Sequence, residues 1–213
     1  MTPAARFTVY KWVWGLSAAA LQSLIYFGIG HAPIARSTEL LRTRFDDAIP
    51  FIPATAWFYL PVYAAIFIIA IAGLRTRTHF NRALVGVLLI LAVGLVGHSL
   101  VRAEYPRPLV APPYHGVSEM FMAWVQAVDP PGNVFPSLHV AHTSSLALII
   151  FAENRRLGRV VIVMAALLAL STLTTKQHFI ADVISGFALA AITRIVVLRG
   201  VRATSQPAKE VTV

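Results

Sequence analysis

The chain has 213 residues, 57% of them hydrophobic and only 13% charged, with a mean hydropathy of +0.70 and a formal net charge of +9. Soluble domains carry about a quarter charged residues, so this balance excludes an ordinary soluble globule and points to a bilayer. The lack of cysteine excludes disulfides, thiolate metal sites and cysteine nucleophiles. The basic residues fall in short loops between apolar runs, which reads as a topology signal and argues against a nucleic-acid partner.

Apolar runs near the length of about 20 residues needed to span a bilayer lie at 12–30, 55–74, 83–101, 138–153, 159–175 and 179–198, the fourth and fifth slightly short. They predict an all-α membrane protein, a six-transmembrane-helix bundle. One transmembrane domain covers 1–201, followed by a short polar tail, 202–213, that is expected to be disordered and cytoplasmic. The first run has a basic lead-in, Arg6 and Lys11, but no small-x-small cleavage site, so it reads as an anchor and not a signal peptide. Between the first two spans, Ile34, Leu40, Leu41 and Phe45 alternate with Arg36, Glu39, Arg42 and Arg44, a pattern that predicts an interfacial amphipathic helix. Asp46-Asp47, just after it, reads either as a turn or cap or as a reader of an acceptor hydroxyl. Trp12, Trp14, Trp57 and Trp124 fit an interfacial belt.

Charge orients the bundle. With the N-terminus inside, the inner segments hold Arg6, Lys11, Arg75, Arg77, Arg82, Arg155, Arg156, Arg159, Arg194, Arg199, Arg202 and Lys209. That is about twelve basic residues inside against about six outside, so both termini are expected in the cytoplasm. The long loop from Arg102 to Val134 then lies outside, on the periplasmic or exterior side of a plasma or inner membrane.

Two histidines stand out because each opens a span on that outer face. In Lys176-Gln177-His178-Phe179-Ile180-Ala181-Asp182 the His and Asp are four apart and share one helix face. Asp182 then takes a hydrogen bond from one ring nitrogen and leaves the other nucleophilic. An acid one turn deep in a membrane helix is costly without a partner, which argues against an idle Asp182. His139 opens the fourth span, where free backbone N–H groups and the positive end of the helix dipole favour phosphate. Ser137 is placed to cap that helix or bond a phosphate oxygen, and Pro136 pre-sets the turn into it. In the outer loop, Arg102 and Arg107 suit the clamping of phosphate oxygens. His142, one turn below His139, and His98, near the outer end of the third span, read as structural.

These motifs resemble those of the type 2 phosphatidic acid phosphatase superfamily. Arg107-Pro108 matches the end of its first motif, with Leu100 where the motif has Lys. Pro136-Ser137-Leu138-His139 matches its second, with Leu138 in place of Gly. Ser171, His178 and Asp182 match its third in spacing, with Thr172 in place of Arg. The resemblance covers roughly 83–198, and the variants look more like the inositol phosphorylceramide synthase branch. It implies an active site at the extracytoplasmic ends of helices 4 and 6. It implies that His178 attacks phosphorus, Asp182 orients it and His139 protonates the leaving oxygen. Arg107, Ser137 and Ser171 would hold the phosphoryl group, with Arg102 and Lys176 as stand-ins for the missing Lys and Arg. No metal or other cofactor is implied, since helix ends and arginines stabilise the charge.

The expected activity is therefore that of an integral membrane lipid-phosphate phosphatase working through a phosphohistidine. A headgroup phosphotransferase delivering to a lipid alcohol through the same site is the alternative. A metal or ion transporter built on His139, His142, His178 and Asp182 is a second. The expected partners are a lipid phosphate and the bilayer itself.

Overall fold

The computed structural model describes residues 1–32 and 35–204, with side chains to 198. The described chain is helical: α1 (Pro3–Gly30), α2 (Arg44–Ala48), a 3₁₀ segment (Pro53–Phe58), α3 (Leu60–Gly73), α4 (Arg77–Leu100), α5 (Val117–Val128), α6 (Leu138–Glu153), α7 (Arg155–Thr174) and α8 (Ile180–Thr204). Each of the six apolar runs is helical, the second as the 3₁₀ segment followed by α3. By length and composition, five are long and apolar enough to cross a membrane: α1, the unit Pro53–Gly73, α4, α7 and α8. α6 is shorter, at 16 residues. At 1.5 Å per residue it reaches about 24 Å, against about 30 Å of hydrocarbon.

Capping residues, not hydropathy, set several of the helix boundaries. Thr2 accepts the amide of Ala5 and Pro3 occupies the first helical position, so α1 starts well before the apolar run at 12. Asn154 accepts the amides of Arg156 and Leu157 and separates α6 from α7 with a single residue. Thr43 and Asp46 form a reciprocal capping box that starts α2 at Arg44.

That box corrects the amphipathic helix expected over 34–45. From 35 to 43 the chain is not helical, and Ile34 lies outside the described residues. Ser37 instead pairs with the segment after α4, its N–H donating to the Arg102 carbonyl (2.9 Å) and its carbonyl accepting from Glu104 (3.0 Å). The long loop from Arg102 to Val134 also contains a helix that the sequence reading lacked, α5. Its Phe121 stacks on Trp57 at 4.1 Å and lies 5.5 Å from Trp124, which makes an aromatic girdle at one end of the bundle. The tail expected from Arg202 begins within α8, and 205–213 lie outside the described residues.

The helices alternate in direction between two distinct ends. At one end Lys11 donates to the carbonyls of Ala72 and Leu74, Arg77 lies over the Tyr10 ring, and Glu153 accepts the amides of Arg75 and Thr76. The opposite end gathers the C-termini of α1, α4 and α7 with the N-termini of α3, α6 and α8, and holds most of the buried polar side chains. α6 is the central helix, packing on α3, α4, α7 and α8.

Two glycines let neighbouring helices close on the turn that enters α6. A Cβ on Gly97 of α4 would lie 2.4 Å from the Pro136 ring and 3.0 Å from the Phe135 carbonyl. One on Gly186 of α8 would lie 2.8 Å from the Ser137 carbonyl. Because that second neighbour is backbone, Gly186→Ala is expected to cost about 1–3 kcal/mol of stability by overpacking. Thermal unfolding in detergent checks this, with Gly28→Ala, a helical site with nothing within 4 Å, as the control for the gain in helix propensity that both changes share.

Candidate active site

The two motif histidines meet. The rings of His139, in the first turn of α6, and His178, between α7 and α8, have centroids 5.8 Å apart. Both side chains are buried. One backbone bond ties their helices together, with the Ser137 N–H donating to the Asp182 carbonyl at 3.2 Å. The connection carrying His178 is folded back on α7. The N–H groups of Gln177 and His178 both donate to the Thr172 carbonyl, and Lys176 turns the chain in the left-handed region at φ 58°.

His178 Nδ1 lies 3.1 Å from the Val134 carbonyl and 3.4 Å from Asp182 Oδ2. Both partners are acceptors, so Nδ1 carries the proton and Nε2 keeps its lone pair. Burial is the main cause that lowers the pKa of His178 to about 4, and nearby Arg107 adds to it. The imidazole is therefore neutral at pH 7. Asp182 Oδ2 also accepts the Phe179 amide at 2.8 Å, which fixes the carboxylate at the start of α8.

The helix N-termini are not equivalent as anion sites. At α8 the amides of Phe179 and Ile180 are already taken by the carboxylates of Asp182 and Asp46, the latter at 2.7 Å. Asp46 is thus a cap for α8 as well as for α2. At α6 the Ser137 hydroxyl accepts the amide of Val140, so its own proton remains to be donated.

The other candidates occupy varied positions. Arg107 is held against the loop before α6. Its guanidinium donates to the carbonyls of Asp129 (2.5 Å) and Pro130 (3.2 Å), while its buried Nε has no hydrogen-bond partner. The Lys176 ammonium donates to the Asp46 carbonyl at 2.7 Å. The Ser171 hydroxyl is buried and donates to the Leu168 carbonyl one turn back. Arg102 is exposed just past the end of α4. His98 Nε2 faces the Pro136 carbonyl at 3.2 Å, and His142 lies between the Tyr63 hydroxyl and the Val87 carbonyl, so both brace the framework.

Sequence reasoning passed over the groups beside His139. The Tyr59 hydroxyl lies 3.1 and 3.2 Å from its two ring nitrogens. That hydroxyl donates to Asp129 Oδ2 at 2.6 Å, and Tyr26 donates to the other carboxylate oxygen at 2.6 Å. Burial alone would raise the Asp129 pKa, but His139, Arg107 and the two phenols outweigh it and leave the carboxyl below its ordinary range. In the sequence, Asp129-Pro130-Pro131-Gly132-Asn133 has the composition of a turn, and Tyr59 follows an aromatic pair in a presumed interface.

An apolar groove leads away from this cluster between α1 and α3. Its outer part, about 400 Å³, is lined by Tyr26, Phe27, Leu60, Tyr63, Phe121 and Trp124. It continues as a second hollow of about 280 Å³ that shares Gln22, Ser23, Tyr63 and Ala64 and runs on to Phe67, Ile68 and Ile71.

A profile of the PAP2 superfamily matches residues 35–196. No curated protein and no solved structure matches the chain. The profile runs through every element from α2 to most of α8 and takes in both facing histidines, and on that match the chain belongs to the PAP2 superfamily.

Proposed function

We propose that this chain is an integral membrane lipid-phosphate phosphatase that works through a phosphohistidine on His178 and needs no metal. One observation carries the reading: the two buried imidazoles lie 5.8 Å apart, with Asp182 behind one of them. A phosphoryl group between such rings meets a nucleophile on one side and an acid on the other. Nε2 of His178 attacks phosphorus, a P–N bond forms and the bond to the lipid oxygen breaks. His139 gives that oxygen its proton. Water then attacks the phosphohistidine as His139 takes its proton, a P–O bond forms, the P–N bond breaks with its electron pair returning to Nε2 of His178, and phosphate leaves.

The Ser137 hydroxyl, the Arg107 Nε and the α6 N-terminus are candidate donors to the phosphoryl oxygens. Ser171, Lys176 and Arg102 are further candidates, of which Ser171 and Lys176 would first have to leave their carbonyl partners. The groove between α1 and α3 suits the lipid chains, since it is apolar and begins at Tyr26, whose ring lies 5.6 Å from His139. The asymmetry of basic residues supports termini in the cytoplasm and a site on the exterior face.

The test is phosphate release by the detergent-purified chain from a panel of lipid phosphates in the presence of EDTA. Release in EDTA supports the reading and ranks the lipids. No release, together with transfer of a headgroup from a phosphodiester lipid to a lipid alcohol, would replace water by an alcohol in the second step. Activity that appears only when zinc is restored would overturn the metal-free mechanism.

The neutral state of His178 sets the acid limb of the pH profile. As pH falls through about 4 the imidazole takes a proton and loses its lone pair. kcat/KM is therefore expected to lose its nucleophile-dependent part near pH 4 and not near the ordinary histidine value of about 6.5. A pH–rate profile in detergent checks it.

A further inference from the structure

We propose that Asp129 and Tyr59 act as a positioning relay for His139, orienting its ring and favouring the protonated form that gives a proton to the leaving oxygen. The inference rests on the phosphoryl-transfer reading and extends it to residues outside the three motifs. The hydrogen-bond directions allow one arrangement. A carboxylate only accepts, so the Tyr59 proton points to Asp129 Oδ2, 2.6 Å away. The oxygen of Tyr59 then faces His139 as an acceptor, at 3.1 Å from Nδ1 and 3.2 Å from Nε2. It takes one imidazole N–H and leaves the other nitrogen to carry the proton that moves.

A purely structural role does not account for the charge. Tyr59 is wholly buried and Asp129 nearly so. An ionised carboxylate in such a place is costly unless it is paired, and the two phenol hydrogen bonds do not neutralise its charge. Here the negative charge is aimed through Tyr59 at an imidazole, with Arg107 gripping the Asp129 carbonyl and standing 3.9 Å from the carboxylate. Each histidine of the pair thus has an acid behind it. His178 has Asp182 directly, and His139 has Asp129 through a phenol. During transfer the imidazolium loses its proton to the departing alkoxide, while Tyr59 remains a phenol and Asp129 a carboxylate.

The discriminating measurement is the dependence on leaving group. Dodecyl phosphate releases an alkoxide that needs a proton, whereas p-nitrophenyl phosphate releases a stable phenolate that does not. kcat/KM is read because it reports the first phosphoryl transfer. Asp129→Asn and Tyr59→Phe are each expected to lower kcat/KM about 10²-fold on dodecyl phosphate and less than about threefold on p-nitrophenyl phosphate, the range of one acid catalyst. An equal fall on both substrates with the wild type active overturns the relay and leaves the phosphatase reading standing. A wild type inert to both substrates, and no different from His178→Ala, overturns that reading and the relay with it. Should Asp129→Asn fail to fold, Tyr59→Phe, which removes one oxygen and keeps the packing, decides the matter alone.

Discussion

Replacing His178 by alanine is expected to lower phosphoryl transfer at least about 10⁴-fold, the scale seen when a nucleophile acting in a concerted group is removed. No other described group stands ready to replace it. His139 is the nearest imidazole, but it faces the Tyr59 hydroxyl and is assigned the proton. The fold should survive the change. His178 contributes its ring contacts and the hydrogen bonds of Nδ1 to Val134 and Asp182, whereas its backbone N–H to Thr172 is kept by any residue. Losing one buried hydrogen bond costs about 1–3 kcal/mol, which leaves a folded protein to assay. Two measurements check this. Phosphate release should vanish, and a base-stable, acid-labile phosphoryl label found on the wild type after a rapid quench should be absent from the variant. A variant that keeps more than a tenth of the activity would sink the nucleophile assignment.

The parts of the fold that hydropathy controls were legible in the sequence: all six apolar runs are helical, and the motif histidines do converge. Local chemistry was harder to read. A capping box at Thr43 and Asp46 outranked the amphipathic pattern over 34–45, because a satisfied helix N-terminus at Arg44 ends whatever precedes it. α5 was hidden in a loop whose neighbours are rich in proline and glycine, yet its Trp57–Phe121 stack and Met122 give it a core of its own. The relay behind His139 had no linear signature. Tyr59 and His139 are 80 positions apart, and Tyr26 and Asp129 are 103 apart. Spacing rules reach one or two helical turns, so they found Asp182 beside His178 and could not find Asp129 beside His139. The same limit applies to Arg107 and Lys176. Their charges were evident from the letters, but their backbone carbonyl partners are set by tertiary packing.

Asp182→Asn is the second change with a large expected effect, about 10³–10⁴-fold in kcat by analogy with the acid that orients a catalytic imidazole. One oxygen, Oδ2, faces two donors, the amide of Phe179 at 2.8 Å and Nδ1 of His178 at 3.4 Å. Asparagine offers one accepting oxygen and one donating nitrogen. If its oxygen keeps both contacts, the negative charge that stabilises the developing positive charge on His178 is still gone. If its nitrogen turns toward His178, two donors face each other and the ring is driven to the wrong tautomer, with Nε2 protonated and unable to attack. Stability should change far less than activity. The backbone carbonyl of Asp182, which receives the Ser137 N–H and ties α6 to α8, is untouched, and the isosteric side chain keeps the packing. Oδ1, already buried without a hydrogen-bond partner, loses nothing. The decisive comparison is therefore kcat beside the unfolding midpoint in detergent. A fall of under about tenfold in kcat would reduce Asp182 to a helix cap. A midpoint that falls in step with activity would show that the carboxylate holds the fold and not the nucleophile.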